Sequence, residues 1–302
     1  MEFPIKMDET ILVIGASGLI GYSLFEHFSK ENSVVGTFNT HKFDNLIQLN
    51  LLNKDELERI IENVKPRVIL LPAALTNVDY CEKEKDECWK QNVIGPLNLI
   101  QLIKNSSVKL VYYSTDYVFN GKNGPYSEED IPHPLNIYGK SKLETETNIK
   151  QNLTNFLIIR TTVVYGWEHL RKNFVYSLIK SIKSGKTIKV PKDQIGTPTY
   201  VENLAEATLE LVKSDKHGIY NVGGPQLLDR YSLALIIAEV FNLNQSLIIP
   251  IKTSELNQIA SRPLHAGLKI NKLLTSIKIK MLSPREALQH MEKNTKDYIK
   301  ID

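Results

Sequence analysis

The stretch Ile11-Leu-Val-Ile-Gly15-Ala-Ser-Gly18-Leu-Ile-Gly21 decides the fold class of this 302-residue chain. A short apolar, β-branched run ends at Gly15, glycines recur at every third position, and an amphipathic run follows. Glycines in such a strand–loop–helix unit permit a tight turn and a close approach of the backbone to a pyrophosphate, which the helix N-terminus then binds. The stretch therefore predicts a dinucleotide-binding unit, with a glycine-rich turn without a ligand as the alternative. The residues predicted to contact the cofactor here are Gly15, Ser17, Gly18, Leu19, Ile20 and Gly21.

The first half of the chain alternates short apolar runs with longer amphipathic ones. The candidate strands are Ile11–Gly15, Ser33–Phe38, Val68–Ala73, Lys109–Thr115 and Phe156–Thr162. The candidate helices are Leu19–Lys30, Lys54–Val64, Tyr80–Asn92, Pro96–Asn105 and Tyr138–Ile149. Strand runs such as Val68-Ile-Leu-Leu71 are continuously apolar, which is typical of strands buried on both faces. This βαβ alternation predicts an α/β fold with a Rossmann-type, doubly wound parallel sheet.

After about Gly166 the pattern changes to helices separated by short strands and loops. The candidate helices are Asn173–Ser184, Val201–Lys213, Ser232–Phe241 and Pro284–Tyr298. The candidate strands are Thr187–Val190, Ile219–Val222 and Leu247–Ile251. We predict a smaller C-terminal α/β lobe at the carboxyl edge of the sheet, where ligands bind in such folds. The expected division is a cofactor-binding domain at 1–165 and a substrate-binding lobe at 166–302, with parts of 196–215 returning to the first domain.

Bulk composition excludes several classes of protein. The net charge is only +3, and the basic residues are dispersed, whereas a nucleic-acid-binding protein concentrates them on one face. No apolar run approaches the ~20 residues of a membrane span, and residues 1–10 carry no apolar signal-peptide segment. Cys81 and Cys88 have no ligand cluster nearby, so they indicate neither a disulfide framework nor a metal site. We expect a cytoplasmic protein without a metal and without a nucleic-acid or membrane partner.

The end of the second predicted strand indicates which dinucleotide binds. Sites for NAD usually place Asp or Glu ~20 residues past the glycine loop, where the carboxylate holds the ribose 2′-hydroxyl. This strand instead continues as Asn39-Thr40-His41-Lys42, and the nearest acid is Asp44. His41 and Lys42 suit a 2′-phosphate, unless they are merely exposed loop residues. The sequence therefore favours NADP(H), with Asn39 and Thr40 in the cofactor site and NAD(H) as the alternative.

A tyrosine and a lysine in Tyr138-Gly-Lys-Ser-Lys142 lie one helical turn apart, and hence on one helix face. A phenol with its pKa near 10 is a weak catalyst at neutral pH, and a neighbouring ammonium is expected to lower that pKa. The strand Lys109–Thr115 ends beside Asp116 at the sheet edge, where a hydroxyl can reach a substrate carbonyl. These positions predict a catalytic set of Thr115, Tyr138 and Lys142.

The same segment carries a family resemblance. Residues 114–121, 125–132 and 134–143 resemble the extended short-chain dehydrogenase/reductases, and within them the dTDP-4-dehydrorhamnose reductase (dTDP-L-rhamnose synthase) branch. That branch also includes the regulatory β subunit of methionine adenosyltransferase. Further segments that resemble the branch are 73–79, 92–96, 160–166, 172–175, 193–200 and 262–263. The resemblance covers nearly the whole chain in order.

The resemblance implies a role for each residue of the site. Tyr138 would protonate the C4 oxygen of a sugar as hydride arrives from the nicotinamide. Thr115 would hold that oxygen by a hydrogen bond, and Lys142 would bind the nicotinamide ribose. The resemblance adds Ala73, Ala74 and Thr76 to the cofactor side. On the substrate side it implies Asp116, Tyr117, Val163, Asn173, Thr197 and Arg262. The alternative roles are a strand-end cap for Asp116 and a surface ion pair for Arg262.

One departure from the family concerns the sugar. Many rhamnose-pathway reductases have Trp in the segment after the arginine that corresponds to Arg160, whereas this chain has Val163. That Trp is expected to contact the sugar ring, so Val163 puts the identity of the sugar in question. Trp167 either substitutes for it or packs in the core.

Three functions follow as expectations. The first is NADPH-dependent reduction of the C4 ketone of a nucleotide-linked 4-keto-6-deoxyhexose, in particular of dTDP-4-dehydrorhamnose to dTDP-L-rhamnose. The second is a non-catalytic, NADP-binding regulatory subunit, and the third is a nucleotide-sugar epimerase or dehydratase. The Thr115-Asp116-Tyr117 sequence favours the reductases. The subunit number stays open, with a homodimer as one arrangement.

Overall fold

The computed structural model describes residues 9–294, and its centre is a seven-stranded sheet. With strands numbered in chain order, the sheet consists of β1 (Thr10–Ile14), β2 (Ser33–Phe38), β3 (Ile47–Gln48), β4 (Val68–Leu71), β5 (Lys109–Thr115), β6 (Phe156–Thr161) and β11 (Gly218–Asn221). All its pairings are parallel, in the order β11-β6-β5-β4-β1-β2-β3. Within these residues, no helix is both long and apolar enough to cross a bilayer.

Helices cover both faces of this sheet, because successive strand side chains point to opposite faces. Ile11 and Val13 pack on one face, and Leu12 and Ile14 on the other, all 2% exposed or less. The first face is covered by α1 (Leu19–Phe28), α8 (Val201–Lys213) and α10 (Asn271–Ser276). The second is covered by α2 (Lys54–Val64), α5 (Gly95–Ile103) and α6 (Ile137–Asn152). This arrangement confirms the predicted Rossmann-type, doubly wound fold.

The single helix predicted for Tyr80–Asn92 is interrupted. The structure has α3 (Val78–Lys83), α4 (Lys85–Trp89) and a π-helical segment, Lys90–Ile94, that runs into α5. Glu84 adopts a non-helical conformation between α3 and α4, with φ −107° and ψ 65°. In the π-helical segment the carbonyl of Asn92 accepts a hydrogen bond from Thr145 Oγ1 at 2.6 Å, which ties this segment to α6. π-helical turns often accompany functional sites.

A second hydrophobic core belongs to the smaller lobe. It lies among α7 (Phe174–Lys183), α9 (Arg230–Val240) and α11 (Pro284–Lys293). Short strand pairs complete the lobe: β7 (Val164–Tyr165) with β10 (Thr199–Tyr200), β8 (Ile188–Pro191) with β13 (Ile248–Ile251), and β9 (Ile195–Gly196) with β12 (Leu228–Asp229). Trp167 packs in this core and donates from Nε1 to the carbonyl of Met291 at 2.8 Å. Of its two expected roles, Trp167 therefore takes the structural one. The part of the helix predicted beyond Asn294 lies outside the described residues.

The chain crosses back to the large sheet after building part of the small lobe. Helix α8 packs against α1, and β11 pairs with β6 along its whole length. The predicted strand at Ile219–Val222 thus forms the edge of the main sheet. The segment that returns to the large sheet covers 201–221, whereas the predicted returning segment ended at residue 215.

Candidate active site

A cleft of about 1040 Å³ opens at the carboxyl ends of the parallel strands. The strand order reverses at β1, and ligands bind in such folds at this switch point. All twelve residues predicted for the cofactor side line the cleft, including Asn39, Thr40 and the three residues from the β4 loop. The catalytic candidates Thr115, Tyr138 and Lys142 line it too. His41 borders the cleft, whereas Lys42 does not.

The glycine loop has the shape of a pyrophosphate cradle. Gly15 has φ +95°, and a Cβ there would lie 2.8 Å from Ala73 Cβ. A Cβ on Gly21 would lie 2.1 Å from the Gly15 carbonyl oxygen, so α1 can start this close to the loop only with glycine. At Gly18 the nearest atom would be 3.6 Å away, which leaves room for a ligand. Gly18 occupies the N-cap position of α1 and offers no side-chain cap, so the first N–H groups of the helix remain available to an anion.

Tyr138 is positioned by the start of α6. Asn136 Oδ1 accepts from Gly139 N at 2.8 Å, and its Nδ2 donates to the carbonyl of Ser261 at 2.8 Å. This cap fixes the first turn of the helix, so that Tyr138 and Lys142 both face the cleft. The Thr115 side chain lies close enough to the Tyr138 hydroxyl to influence its pKa. The ring of Tyr117 lies edge-on to Tyr138, with centroids 5.9 Å apart.

The acid–base properties of Tyr138 differ from the expectation. Burial raises the pKa of its phenol, and the hydrogen bond with Thr115 opposes that rise only partly. Burial also lowers the pKa of Lys142 to about 7, with the Glu146 carboxylate opposing it. The Lys142 ammonium lies over the ring of Tyr112, 4.2 Å from the centroid. The raised pKa keeps Tyr138 protonated at neutral pH, which is the form that donates a proton.

Asp116 is buried at the floor of the cleft and is held by two hydroxyls. Thr162 Oγ1 donates to Oδ2 at 2.6 Å, and Thr115 Oγ1 donates to Oδ1 at 3.1 Å. The backbone N–H of Tyr117 donates to Thr115 Oγ1 at 3.2 Å. Burial raises the pKa of Asp116 to about 6, although both hydrogen bonds favour the carboxylate. Asp116 therefore orients the hydroxyl of Thr115.

Arg230 is a cleft residue that the sequence reasoning missed. It lies in the first turn of α9, which Asp229 caps, and its guanidinium lies 5.3 Å from the ring centroid of Phe174. It borders the cleft close enough to Asp116 and Tyr117 to interact electrostatically with both. Nothing local marks it, because a helix-capping Asp followed by Arg occurs at many helix starts. Arg230 brings positive charge to the part of the cleft beyond Tyr138.

Asn92 was also missed as a positioning residue, although it lies in a segment that carries the resemblance. Its side chain is 1% exposed. Oδ1 accepts from Leu75 N at 2.8 Å, while Nδ2 donates to Leu75 O at 3.0 Å and to Ser141 Oγ at 3.2 Å. These bonds fix the loop after β4, which carries Ala73, Ala74 and Thr76, against the helix of Tyr138.

Val163 and Asn173, two of the residues predicted for the substrate side, line the cleft. Val163 has φ +45°, a left-handed conformation that is rare for a β-branched residue. Such strain costs roughly 1–3 kcal/mol and tends to occur at functional sites. The side chain of Asn173 is engaged locally: Nδ2 donates to Gly166 O at 2.9 Å, and Oδ1 caps α7.

The structure does not bring Thr197 and Arg262 to the cleft wall. Thr197 is buried, and its Oγ1 accepts from Leu268 N at 3.2 Å. Arg262 pairs with Asp79 Oδ1 at 3.0 Å and donates to Ala260 O at 3.1 Å. Arg262 thus forms the ion pair considered as its alternative, and this pair pins residues 260–262 to α3. Roles for these two residues in substrate binding remain predictions.

A dinucleotide cradle, a Tyr–Lys pair on one helix face and a threonine at the adjoining strand end define a member of the extended short-chain dehydrogenase/reductases. The family model described as "RmlD substrate binding domain" matches residues 9–296. The chain belongs to this family, which confirms the resemblance read from the sequence.

Relatives in the family carry different names. The chain is 34% identical over 271 residues to methionine adenosyltransferase 2 subunit beta of Xenopus laevis, covering 87% of this chain and 80% of the relative. It is 34% identical over 280 residues to the spore coat polysaccharide biosynthesis protein SpsK of Bacillus subtilis (strain 168), covering 92% and 95%. A solved structure of dTDP-4-dehydrorhamnose reductase from Bacillus anthracis str. Ames, in complex with NADP, matches with a TM-score of 0.88 and 31% identity. That match covers 96% of this chain and 100% of the other.

Proposed function

We propose that this protein is an NADPH-dependent reductase of a ketone on a nucleotide-linked sugar. The specific reaction we propose is reduction of dTDP-4-dehydrorhamnose to dTDP-L-rhamnose. The observation that carries the proposal is that Thr115, Tyr138 and Lys142 line one cleft together with the glycine loop that forms a pyrophosphate cradle. The NADP-bound relative supports the choice of cofactor.

In this mechanism the chain supplies the proton and the orientation. When bound, the reduced nicotinamide supplies hydride to the C4 carbon of the sugar. Tyr138 donates its phenolic proton to the C4 oxygen, so that the ketone becomes an alcohol. Thr115 donates its one hydroxyl proton to the same oxygen, and for this the hydroxyl must turn from Asp116 Oδ1, to which it donates in the structure. Lys142 binds the ribose hydroxyls, and its ammonium gives the phenolate that forms a neighbouring positive charge.

The remainder of the cleft suits a diphosphate-linked sugar. Arg230 offers a cation to the substrate pyrophosphate, and Phe174 holds its guanidinium in place. Tyr117 and Val163 line the same cleft as Arg230 and Tyr138 and are proposed to contact the sugar. Since Val163 is smaller than the Trp of many relatives, the sugar pocket has more room at this position.

The test measures consumption of NADPH with dTDP-4-dehydrorhamnose and with its UDP counterpart. Turnover should fall by roughly 10²- to 10⁴-fold in Tyr138→Phe, because that is the usual contribution of a general acid. Tyr231→Phe, in the second core and away from the cleft, is the matched control and should keep wild-type turnover. Retention of a third or more of the activity by Tyr138→Phe would refute the mechanism.

A second candidate function is supported by the similarity to methionine adenosyltransferase 2 subunit beta. In that case the chain would bind NADP and associate with a methionine adenosyltransferase catalytic subunit, without reducing a sugar. Tight NADPH binding, no turnover of either sugar nucleotide and co-elution with such a subunit would favour this candidate. The nearly full-length coverage of SpsK and of the reductase structure supports the first one.

A further inference from the structure

The small lobe reaches across the cleft near the end of β2. Residues 168–172, here called the strap, connect β7 to α7 and border the cleft through Glu168, Leu170 and Lys172. His169 of the strap packs against Phe43 and Tyr22 of the large domain, with ring centroids 4.6 and 4.8 Å apart. Three aromatic rings therefore hold the strap against the loop that follows β2.

This contact places Lys172 beside His41. The Lys172 ammonium donates to His41 Nε2 at 3.2 Å, although the two residues are 131 positions apart. Both residues are exposed and both border the cleft. Among residues 9–294, Lys172 forms no ion pair with a carboxylate. The nearby carboxylate of Glu168 is engaged, because its Oε1 accepts from Lys172 N at 2.8 Å and from Asn173 N at 2.6 Å.

The position of His41 and Lys172 in the fold indicates which anion they would bind. The end of the second strand in a dinucleotide fold lies beside the adenosine ribose, where an acid would hold the 2′-hydroxyl of NAD. Here Asn39 and Thr40 directly follow the strand, and His41 and Lys172 line the same cleft. The Lys172 ammonium has two further N–H groups, and the His41 ring carries its own N–H on Nδ1 when Nε2 accepts. These donors suit a phosphate monoester, which presents three acceptor oxygens.

We propose that His41 and Lys172 together form the subsite for the 2′-phosphate of NADPH, so that the small lobe itself selects the cofactor. The inference rests on the proposed use of this cleft for a dinucleotide. It assigns the phosphate contact to Lys172, a residue of the strap, rather than to Lys42, which adjoins His41 in sequence but lies off the cleft. Bound phosphate would also draw the strap towards the β2 loop through the Lys172 ammonium.

The experiment compares NADPH and NADH binding by titration calorimetry in the full-length chain. In Lys172→Ala we expect NADPH affinity to fall about tenfold or more, as for the loss of a charge-assisted contact, and NADH affinity to stay within twofold. His41→Ala should act in the same direction, and Lys172→Arg should restore most of the preference. Lys42→Ala is the matched control, since it removes an equally exposed lysine next to His41, and it should leave both affinities unchanged.

Two fragments of the cofactor isolate the phosphate. Adenosine 2′,5′-bisphosphate should lose affinity in Lys172→Ala, whereas adenosine 5′-monophosphate should not. Equal losses of NADPH and NADH in Lys172→Ala, or a loss in Lys42→Ala as large as that in Lys172→Ala, would overturn the inference. Either result would leave the reductase proposal intact provided that the wild-type protein turns over the sugar nucleotide. The reductase proposal itself would be refuted by a different result, namely the absence of sugar-nucleotide turnover in the wild-type protein.

Discussion

Lys142 is a candidate catalytic residue whose buried charge lowers the stability of the folded protein. The shift in its pKa gives the size of this loss. Its side chain is 2% exposed, and burial lowers the pKa of the ammonium from 10.5 to about 7. Each pKa unit corresponds to about 1.4 kcal/mol, so keeping the charged form buried at or below pH 7 costs about 5 kcal/mol. The contact with the Tyr112 ring returns up to about 2 kcal/mol. Replacing Lys142 with Met, which has a similar length and no charge, should therefore raise the free energy of unfolding by about 3 kcal/mol near pH 6.

The pH dependence has a definite sign. The unfolded chain holds the Lys142 proton up to its ordinary pKa of 10.5, whereas the native protein releases it at about 7. Between these values the unfolded state binds more protons, so the wild type gains stability from this group as the pH rises. The advantage of the Met variant should accordingly be complete below pH 7 and shrink by about 3 kcal/mol at pH 9.

Urea unfolding of the cofactor-free protein at pH 6 and pH 9 measures this difference. Lys140→Met is the control, because Lys140 is exposed on the same helix and its charge carries no burial cost. Turnover should be lost in Lys142→Met and kept in Lys140→Met. A Met variant at Lys142 that is no more stable than the wild type at pH 6, or whose advantage does not change with pH, would refute the reasoning.

Two further predictions concern the cleft floor and the glycine loop. Burial raises the pKa of Asp116 from 3.8 to about 6. Between these two pH values the native state binds this proton more tightly than the unfolded state does. The free energy of unfolding of the wild type should therefore fall by about 3 kcal/mol as the pH rises from 3.8 to 6. In Asp116→Asn this fall should be absent from urea unfolding curves at pH 4 and pH 7, and identical pH dependence in the two proteins would contradict it. In Gly21→Ala the new methyl meets the Gly15 carbonyl, so the protein should lose its cooperative melting transition. The Gly18→Ala variant should have a melting temperature within a few degrees of the wild type and should bind NADPH more weakly. A large fall in its melting temperature would contradict the conclusion that the loop has room for a ligand at Gly18.

The sheet could be predicted from the sequence because its signals are local. The run Val68–Leu71 is apolar at every position, and the structure places that strand between β1 and β5 with all its residues buried. The glycine spacing of the first loop likewise reflects contacts within one βα unit, and the loop has the expected shape. The family resemblance singled out Val163 as a departure, but it gave no sign of the left-handed backbone conformation of this residue.

Other features depend on tertiary contacts, which no local pattern records. Lys172 and Arg230 reach the cleft from the small lobe. Lys172 begins a segment that resembles the family, but the resemblance assigned a role only to its neighbour Asn173, and Arg230 lies in none of these segments. The pKa of Tyr138 is raised because its phenol is buried, and burial is a property of the assembled fold. Arg262 was carried over with a matching segment, and its ion pair with Asp79 joins residues that are far apart in the sequence.

The order in which the chain builds the large sheet has a consequence for its synthesis. Strand β11 can pair with β6 only after residues 162–217 have been made, most of which fold elsewhere. A nascent chain that has just completed β6 therefore presents an open strand edge, which is the kind of surface that recruits unwanted partners. The two lobes therefore cannot be separated by ending or fusing the chain at residue 165. The large domain would lose β11 from its sheet, and the small lobe would carry residues 201–221 without the sheet on which they pack.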